Sequence, residues 1–436
     1  MTEDQLQILL ACELDTRPGL YNLGSVYRFH GILDVDRLAK AVSNVWVKHP
    51  ALRTSLCDEH EDVLLRTASP NAGTQSVFTV HERTNQNPFD SRNLEDDEFV
   101  SALIDRSVHV YADRLFRIHL LTASPSEHLM VSVIHHLVFD AWSGGIFRRD
   151  LSNAYNQPAC NLGQATDEQE MPKHPADATG TARHREGSAY WGSYMADSPI
   201  GFSMTGYSDR DRPELIIRPI SSTLWRRVSE LAIQIRVTPF IIFLAVFAGL
   251  ISDVSGSENV LFGVPISRRR DTISMDAIGL YINTLPFWCN VDPGTSFVDF
   301  IHQVQSRADG FYRHGDIPLS DVLKTAGRRR DRIGMAPYRI FFNFLQASAN
   351  ELLLDGLEVT RLRVAPNVID AQMSMTIEAG DSGHAVQLLH VLGPGGSSIG
   401  EELTDSYIDS LTRAVSAPDL PLRQVVYSWR SQASST

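Results

Sequence analysis

The sequence predicts an α/β protein of two lobes, and three observations carry that expectation. The chain has 436 residues, 43% of them apolar and 21% charged, which is too long for one compact core and fits two domains of about 200 residues. A buried-strand pattern at 129–134 gives way through glycines to a helix pattern. Between Asn156 and Ser188 the composition turns to Gln, Asp, Glu, His, Thr and Gly with few large apolar residues, the profile of a solvated linker. The expected division is therefore a first lobe over 1–165, a linker over 166–188 and a second lobe over 189–436.

Taken in order, the first helix pattern begins at Asp34, a plausible N-cap with Asp36 in the first turn. Leu38, Val42, Val45 and Trp46 form its apolar face. Pro50 ends it, and His49 and Arg53 just beyond suit either a cation pair at a helix C-terminus or part of a functional element. Leu129 to Ile134, bounded by the turn signal Ser124-Pro125-Ser126, reads as a strand buried on both faces. Ser143-Gly144-Gly145 then opens a helix through Ile146, Phe147, Leu151 and Tyr155 to Asn156. In the second lobe, Leu224, Val228, Leu231 and Ile235 mark one helix. Thr238-Pro239, as N-cap and N1, start another that runs through Ile251. Val260 to Ile266 reads as a strand, and no internal repeat is visible by eye.

Composition excludes several partners. A formal charge of −13 and a pI near 5.6 oppose binding to nucleic acid or an anionic membrane surface. Cys12, Cys57, Cys160 and Cys289 are scattered without metal-ligand spacing, so neither a disulfide framework nor a metal site is expected, and a reducing cytoplasm suits them. The acidic N-terminus lacks a signal profile, and the longest apolar run, Pro239 to Ile251, is too short to span a bilayer. A cytoplasmic monomer is expected.

The chemistry concentrates in His135-His136-Leu137-Val138-Phe139-Asp140-Ala141-Trp142-Ser143. Side chains alternate along a strand, so only one of the two histidines can face a given cavity. A base beside the N–H groups of a helix start is a catalytic layout, although a lone histidine here is more often a satisfied core residue. The string, HHxxxDxxS, resembles the active-site motif of condensation domains of nonribosomal peptide synthetases. Their two halves resemble chloramphenicol acetyltransferase. Further similar stretches follow in order. Lys48-His49-Pro50-Ala51-Leu52-Arg53-Thr54 is similar to RHxxLRT, Tyr190-Trp191 to a short aromatic motif, and Gly263 to Arg269 to GxPxxGR. Ile278 to Pro286 resembles GxFVNTLP, His314 to Leu319 resembles HQDxPF, and Pro337 to Gln346 resembles an FNFQ strand. Departures are Ala141 and Arg268 where glycine is usual, Gly315 and Leu319 within the HQDxPF stretch, and Trp288 where arginine is frequent.

The resemblance implies an α+β sandwich of two acetyltransferase-like lobes in a V-shaped pseudo-dimer, with the active site in a tunnel between them. It also implies a free-standing condensation enzyme that joins a carrier-bound acyl or aminoacyl thioester to an amine or hydroxyl. His136 would take the proton or orient the nucleophile, with His135 beside it. Asp140 would be structural, paired with Arg269. Ser143, as an N-cap or a polar contact, Ala141 and Gly144 would support the loop. Ala141 is strained if its position needs a positive φ and unstrained if its N–H only donates to the oxyanion. Asn283, Trp288 and Asn343 would line the substrate channel.

No cofactor is expected to be bound, since the phosphopantetheine arm of a separate carrier would bring the donor, and the acceptor would be a small molecule or carrier-bound. Arg268 to Arg270, and Lys324 with Arg328, Arg329, Arg330 and Arg332, would receive an acidic carrier. Competing expectations are an acyl-CoA-dependent acyltransferase of the same superfamily, an epimerase, and a catalytically silent carrier-binding scaffold. Gly396-Ser397-Ser398-Ile399-Gly400 spells the GxSxG of a hydrolase elbow, but no histidine follows His390 to complete that chemistry, so it reads as a turn before the last helix.

Overall fold

The computed structural model describes residues 1–15, 17–59, 62–70, 77–82, 98–106, 108–111, 114–158, 181–199, 212–326, 338–346, 351–380, 383–391 and 396–426. Most of the expected linker, Cys160, Arg328 to Arg330, Arg332 and Pro337 lie outside the described residues.

In chain order the elements begin α1 (Glu3–Leu14), β1 (Asn22–His30), α2 (Val35–Lys48), β2 (Thr54–Glu59), β3 (Asp62–Thr67), β4 (Phe78–Glu82) and α3 (Glu98–Arg106). The hairpin β5 (Phe116–Ser124) and β6 (Glu127–His135) leads into α4 (Ala141–Asn156). Then come α5 (Ala182–Ala196), β7 (Glu214–Ile220), α6 (Ser222–Ile235), α7 (Pro239–Ser255), β8 (Asn259–Ser267), α8 (Thr272–Met275) and β9 (Ile282–Asn290). The chain continues through α9 (Phe297–Arg313), α10 (Leu319–Thr325), β10 (Ile340–Gln346), β11 (Glu358–Leu362), β12 (Met373–Gly380), β13 (Gly383–His390), α11 (Gly396–Ser416) and α12 (Leu422–Val425).

Local chemistry accounts for the helix starts that the sequence marked. The Asp34 side chain accepts the Arg37 N–H at the start of α2, and Pro50 follows its C-cap. Pro239 occupies the first turn of α7, where its missing N–H costs nothing. No single helix among the described residues is long and apolar enough to cross a membrane.

The chain divides into two compact units, Met1–Asp177 with Arg269–Ile282 and Ser348–Ile369, and Ala178–Arg268 with Asn283–Ala347 and Asp370–Thr436. This corrects the simple division at 166–188. Two stretches of the second half belong to the first unit, and α5 starts at Ala182 inside the expected linker. One of those stretches supplies β11, which pairs antiparallel with β1 and covers a strand edge that would otherwise present unpaired backbone groups.

In the first unit a five-stranded sheet runs β11-β1-β6-β5-β4, with β4 parallel to β5 and the other pairings antiparallel. β6 is the middle strand and is buried from His128 onward, as its mostly apolar run, interrupted by Ser132, requires. Trp46, Phe29, Phe116 and Leu151 are fully enclosed in this core.

In the second unit a six-stranded sheet runs β7-β13-β12-β10-β8-β9. The series β7-β13-β12-β10 repeats the order and sense of β1-β6-β5-β4: antiparallel, antiparallel, then parallel. A helix follows the first strand of each series, α2 or α6, and another follows the hairpin, α4 or α11. The two units thus repeat one topology that is not readable as a sequence repeat.

His135 ends β6 and His390 ends β13, and a buried helical glycine lies ten residues on in each case, Gly145 and Gly400. GxSxG is the opening of α11 itself rather than a turn before it. A Cβ on Gly400 would collide with His390 Nε2 and reach within 2.7 Å of Ile216 Cδ1. Alanine in a helix interior ordinarily gains about 1 kcal/mol over glycine, while overpacking costs about 1–3 kcal/mol. Gly400→Ala is therefore expected to lower the urea midpoint, and a raised midpoint would contradict the close helix–strand approach.

Candidate active site

The middle strand delivers the paired histidines and then ends abruptly. His135 is the last residue of β6, His136 to Val138 form one 3-10 turn, and α4 begins at Ala141. Three hydrogen bonds fix the turn. Leu137 N–H donates to His135 Nδ1 at 3.2 Å, Phe139 N–H donates to His136 O at 3.3 Å, and Gln5 Nε2 of α1 donates to Leu137 O at 3.0 Å. The His136 N–H donates to Tyr21 O at 2.8 Å, one step beyond the Asn22–His135 pair of the β1–β6 ladder.

The two histidines differ as strand alternation predicts. His135 is buried, and its Nε2 lies 3.9 Å from Cys12 Sγ. Because Nδ1 accepts an N–H, a neutral ring carries its proton on Nε2. Burial, reinforced by His136 and His109, pushes its pKa down to about 3. Both its ring nitrogens are engaged, Nδ1 by the turn and Nε2 by Cys12. His136 is half-buried with its ring edge toward Tyr21, centroids 6.3 Å apart. Burial lowers its pKa, opposed by the backbone at His136 and Phe139 and by the charge of Asp140. At neutral pH it is an uncharged imidazole able to accept a proton.

Asp140 is the structural centre. Arg269 Nη2 donates to both its carboxylate oxygens, at 2.9 and 3.0 Å, and both side chains are essentially inaccessible to solvent. Asp140 also accepts the N–H of Ser143 at 2.8 Å, the Ser143 hydroxyl at 2.8 Å and the N–H of Tyr281 at 3.1 Å. Arg269 Nη1 donates to Ser274 O and Ala277 O, and its guanidinium lies 4.2 Å from the Tyr281 ring centroid. The charged pair is thus buried with its remaining hydrogen-bonding capacity largely used, the condition under which such a pair is tolerated.

Three supporting residues are revised. The N-cap of α4 is Asp140, not Ser143, which is the third helical residue. Ser143 Oγ, its proton given to Asp140, accepts the Gly279 N–H and Arg269 Nη2, each at 3.0 Å. Ala141 is helical, and among the described residues the non-glycine ones with left-handed backbone are Tyr21 and Arg236; alanine there is unstrained. Arg268 is not among them either. Gly144 closes the first helical hydrogen bond onto Asp140 O. Since Asp140 takes the Ser143 N–H, the first-turn donors without an acceptor in the helix reduce to Ala141 and Trp142.

A second carboxylate, which sequence reasoning missed, anchors α4 from below. Asp150 accepts from Lys48 Nζ and His49 Nε2, each at 2.7 Å, and from Arg149 Nε at 2.8 Å. Burial pushes its carboxyl up, but these hydrogen bonds prevail and hold it well below the usual carboxylate range. Arg149 also reaches Asp276, on the segment that carries Arg269. His49 is therefore a ligand of a buried acid rather than a bare helix-end cation, and Arg53 donates to Ala68 O. The available signal was a lone acid on the apolar face beside Phe147, Leu151 and Ala154.

The second unit's candidates are structural. Asn283 is buried, and its Nδ2 donates to Gly315 O at 3.0 Å and Ile317 O at 2.8 Å, stapling the HGDIPL turn. Trp288 is buried with Arg307 4.0 Å from its ring centroid, and its Nε1 donates to Tyr194 O at 2.5 Å. Asn343 is half-buried and donates to Ser374 Oγ at 2.9 Å on β12. Trp191 is enclosed and donates to His314 O, as a core role requires.

Of the expected basic surfaces, Arg268 and Arg269 are buried and Arg270 is exposed, while Lys324 pairs with Asp321 at 2.9 Å. No group of three or more His, Cys, Asp or Glu able to hold a metal occurs among the described residues.

A family model described as Condensation domain matches residues 1–370. The chain is 25% identical over 319 residues to PF 1022-synthetase of Rosellinia sp., covering 70% of this chain and 10% of that protein. It is 26% identical over 332 residues to the isonitrile lipopeptide synthase of Mycobacterium tuberculosis, covering 70% and 13%. The chain thus spans about a tenth of the length of these curated relatives. The first condensation domain of the calcium-dependent antibiotic synthetase superposes with a TM-score of 0.79 at 18% identity, covering 97% of this chain and 98% of that one, which establishes the shared fold.

Two predictions follow from this geometry. Asp140→Ala leaves the Arg269 charge buried without its partner, a change that typically costs about 3–5 kcal/mol. In a double-mutant cycle read by urea unfolding, Asp140→Ala/Arg269→Ala should be less destabilised than the sum of the single variants, and strict additivity would contradict the pairing. His135 binds its proton less readily folded than unfolded, so stability should fall as pH drops from about 6.5 toward about 3. His135→Gln should flatten that dependence, and an unchanged slope would show that the acid sensitivity arises elsewhere.

Proposed function

Because the chain belongs to the condensation-domain family, whose members form amide bonds in nonribosomal peptide synthesis with carrier-protein domains, we propose that it is an active condensation enzyme. It joins an acyl or aminoacyl thioester on a carrier protein, supplied in trans, to an amine or hydroxyl acceptor. The observation that carries this reading is the uncharged, half-buried His136 presented at a strand end by a loop locked through Asp140 and Arg269.

Amide formation has two needs, an acceptor held at attack distance from the thioester carbonyl and a group that takes the acceptor's proton as the bond forms. His136 meets the second need at neutral pH because it is uncharged. Proton-transfer assistance of this kind is worth on the order of 10²–10⁴-fold, so binding and orientation of the two substrates supply the remainder. The thiol of the phosphopantetheine arm leaves with the proton that the acceptor lost. Asp140 does not touch the reacting atoms; it holds the loop. Esters arise by the same route when the acceptor is a hydroxyl.

The test loads a purified carrier protein with an acyl group and follows loss of the acyl mass on adding acceptor and this protein. The wild type should catalyse transfer. His136→Ala should lower the rate by about 10²-fold or more with the melting temperature nearly unchanged. An active His136→Ala enzyme, or transfer from acyl-CoA without any carrier, would sink the proposal.

A further inference from the structure

Tyr21 and Arg236 are the described non-glycine residues with a left-handed backbone, φ 65° and 59°. Arg236 has an ordinary reason: it ends α6, and its N–H bonds back to Ala232 O and Ile233 O. Tyr21 caps no helix. A bulky residue in this region is a true outlier, and such outliers persist only where the surroundings over-determine them.

The surroundings of Tyr21 do so. On one side Asn22 is pinned, its N–H donating to Gly19 O at 2.8 Å and its Nδ2 lying within hydrogen-bond distance of Ile104 O, Asp105 O and Val108 O. On the other, Tyr21 O receives the His136 N–H at 2.8 Å, and the Tyr21 ring meets the imidazole edge to face at an interplanar angle of 67°. The unfavourable conformation thus turns the chain at the start of β1 while keeping both carbonyl and ring on one residue. Glycine or asparagine would occupy this backbone without strain, so the tyrosine is not what the turn alone selects.

We infer that Tyr21 is a positioning residue for His136, holding its amide through a backbone carbonyl and walling one side of its imidazole with the phenol ring. This deepens the condensation reading and rests on it for its catalytic meaning only. Two other titratable groups neighbour this imidazole: His135 from β6, whose own pKa it helps to lower, and Asp140 from the cap of α4, which raises it and is paired with Arg269. Neither depends on Tyr21. Removing the ring lets water reach the imidazole, which favours its charged form.

The experiment uses the full chain with ¹³C-labelled histidine, the His136 signal being assigned by its loss in His136→Gln. In Tyr21→Gly and Tyr21→Asn the His136 titration midpoint should rise by about half a unit to one unit. The acid limb of the transfer rate should move up with it, and kcat should fall about tenfold with KM little changed. Thermal stability should hold or rise, because the backbone strain is relieved. Tyr21→Phe, which keeps the ring, should restore midpoint and rate. An unchanged midpoint in both the glycine and asparagine variants would overturn the inference. A shifted midpoint in a protein that transfers nothing with any matched donor would instead support Tyr21's hold on the imidazole and sink the condensation reading.

Discussion

The buried pair between Asp140 and Arg269 is the interaction on which the site depends. Asp140 caps α4, binds the hydroxyl and amide of Ser143, and receives the Tyr281 amide. Arg269 ties that carboxylate to the carbonyls of the 274–279 segment. Two stretches 129 residues apart in sequence are thereby fixed to one another inside one unit. A charge pair in this position is a weak source of net stability, since its desolvation offsets most of its attraction, but losing either partner is costly. Its consequence is geometric: it fixes the start of α4 directly after the turn that carries His136.

Several buried histidines are kept uncharged. His135, His136, His49, His119 and His390 are all shifted below the ordinary imidazole value, with desolvation the leading cause in each. What separates the catalytic candidate from the others is access rather than basicity. His135 spends both ring nitrogens on the turn and on Cys12, whereas His136, one residue on, lies where the strand breaks and keeps part of its surface open.

The repeated topology puts this in context. Both units run the same hairpin into a helix, and both keep a buried histidine at the end of the hairpin and a glycine ten residues later. The counterparts of His136 and Asp140 by that count are Val391 and Gly395. The second unit therefore retains the packing residues of the motif and lacks those that carry chemistry. This also explains why a GxSxG string arose there without a hydrolase: its last glycine is the close-packing position against His390.

The sequence by itself determined the strong periodic elements, the two-lobed α/β class, the HHxxxDxxS loop and the Asp140–Arg269 partnership, the last by resemblance. Periodicity and capping are local signals, so α2, β6, α6, α7 and β8 stood where their residues indicated. Only the tertiary structure decided which late segments join the first unit, because strand β11 is recruited by an open edge on β1 that no local pattern announces. It alone showed that Asp140 rather than Ser143 caps α4, that Asn283 and Trp288 are buried staples, and that Asp150 gathers Lys48, Arg149 and the neutral His49. It alone revealed the left-handed Tyr21. The reason is common to all of these: a side chain's role is set by which polar groups and how much water surround it, and those neighbours arrive from distant parts of the chain.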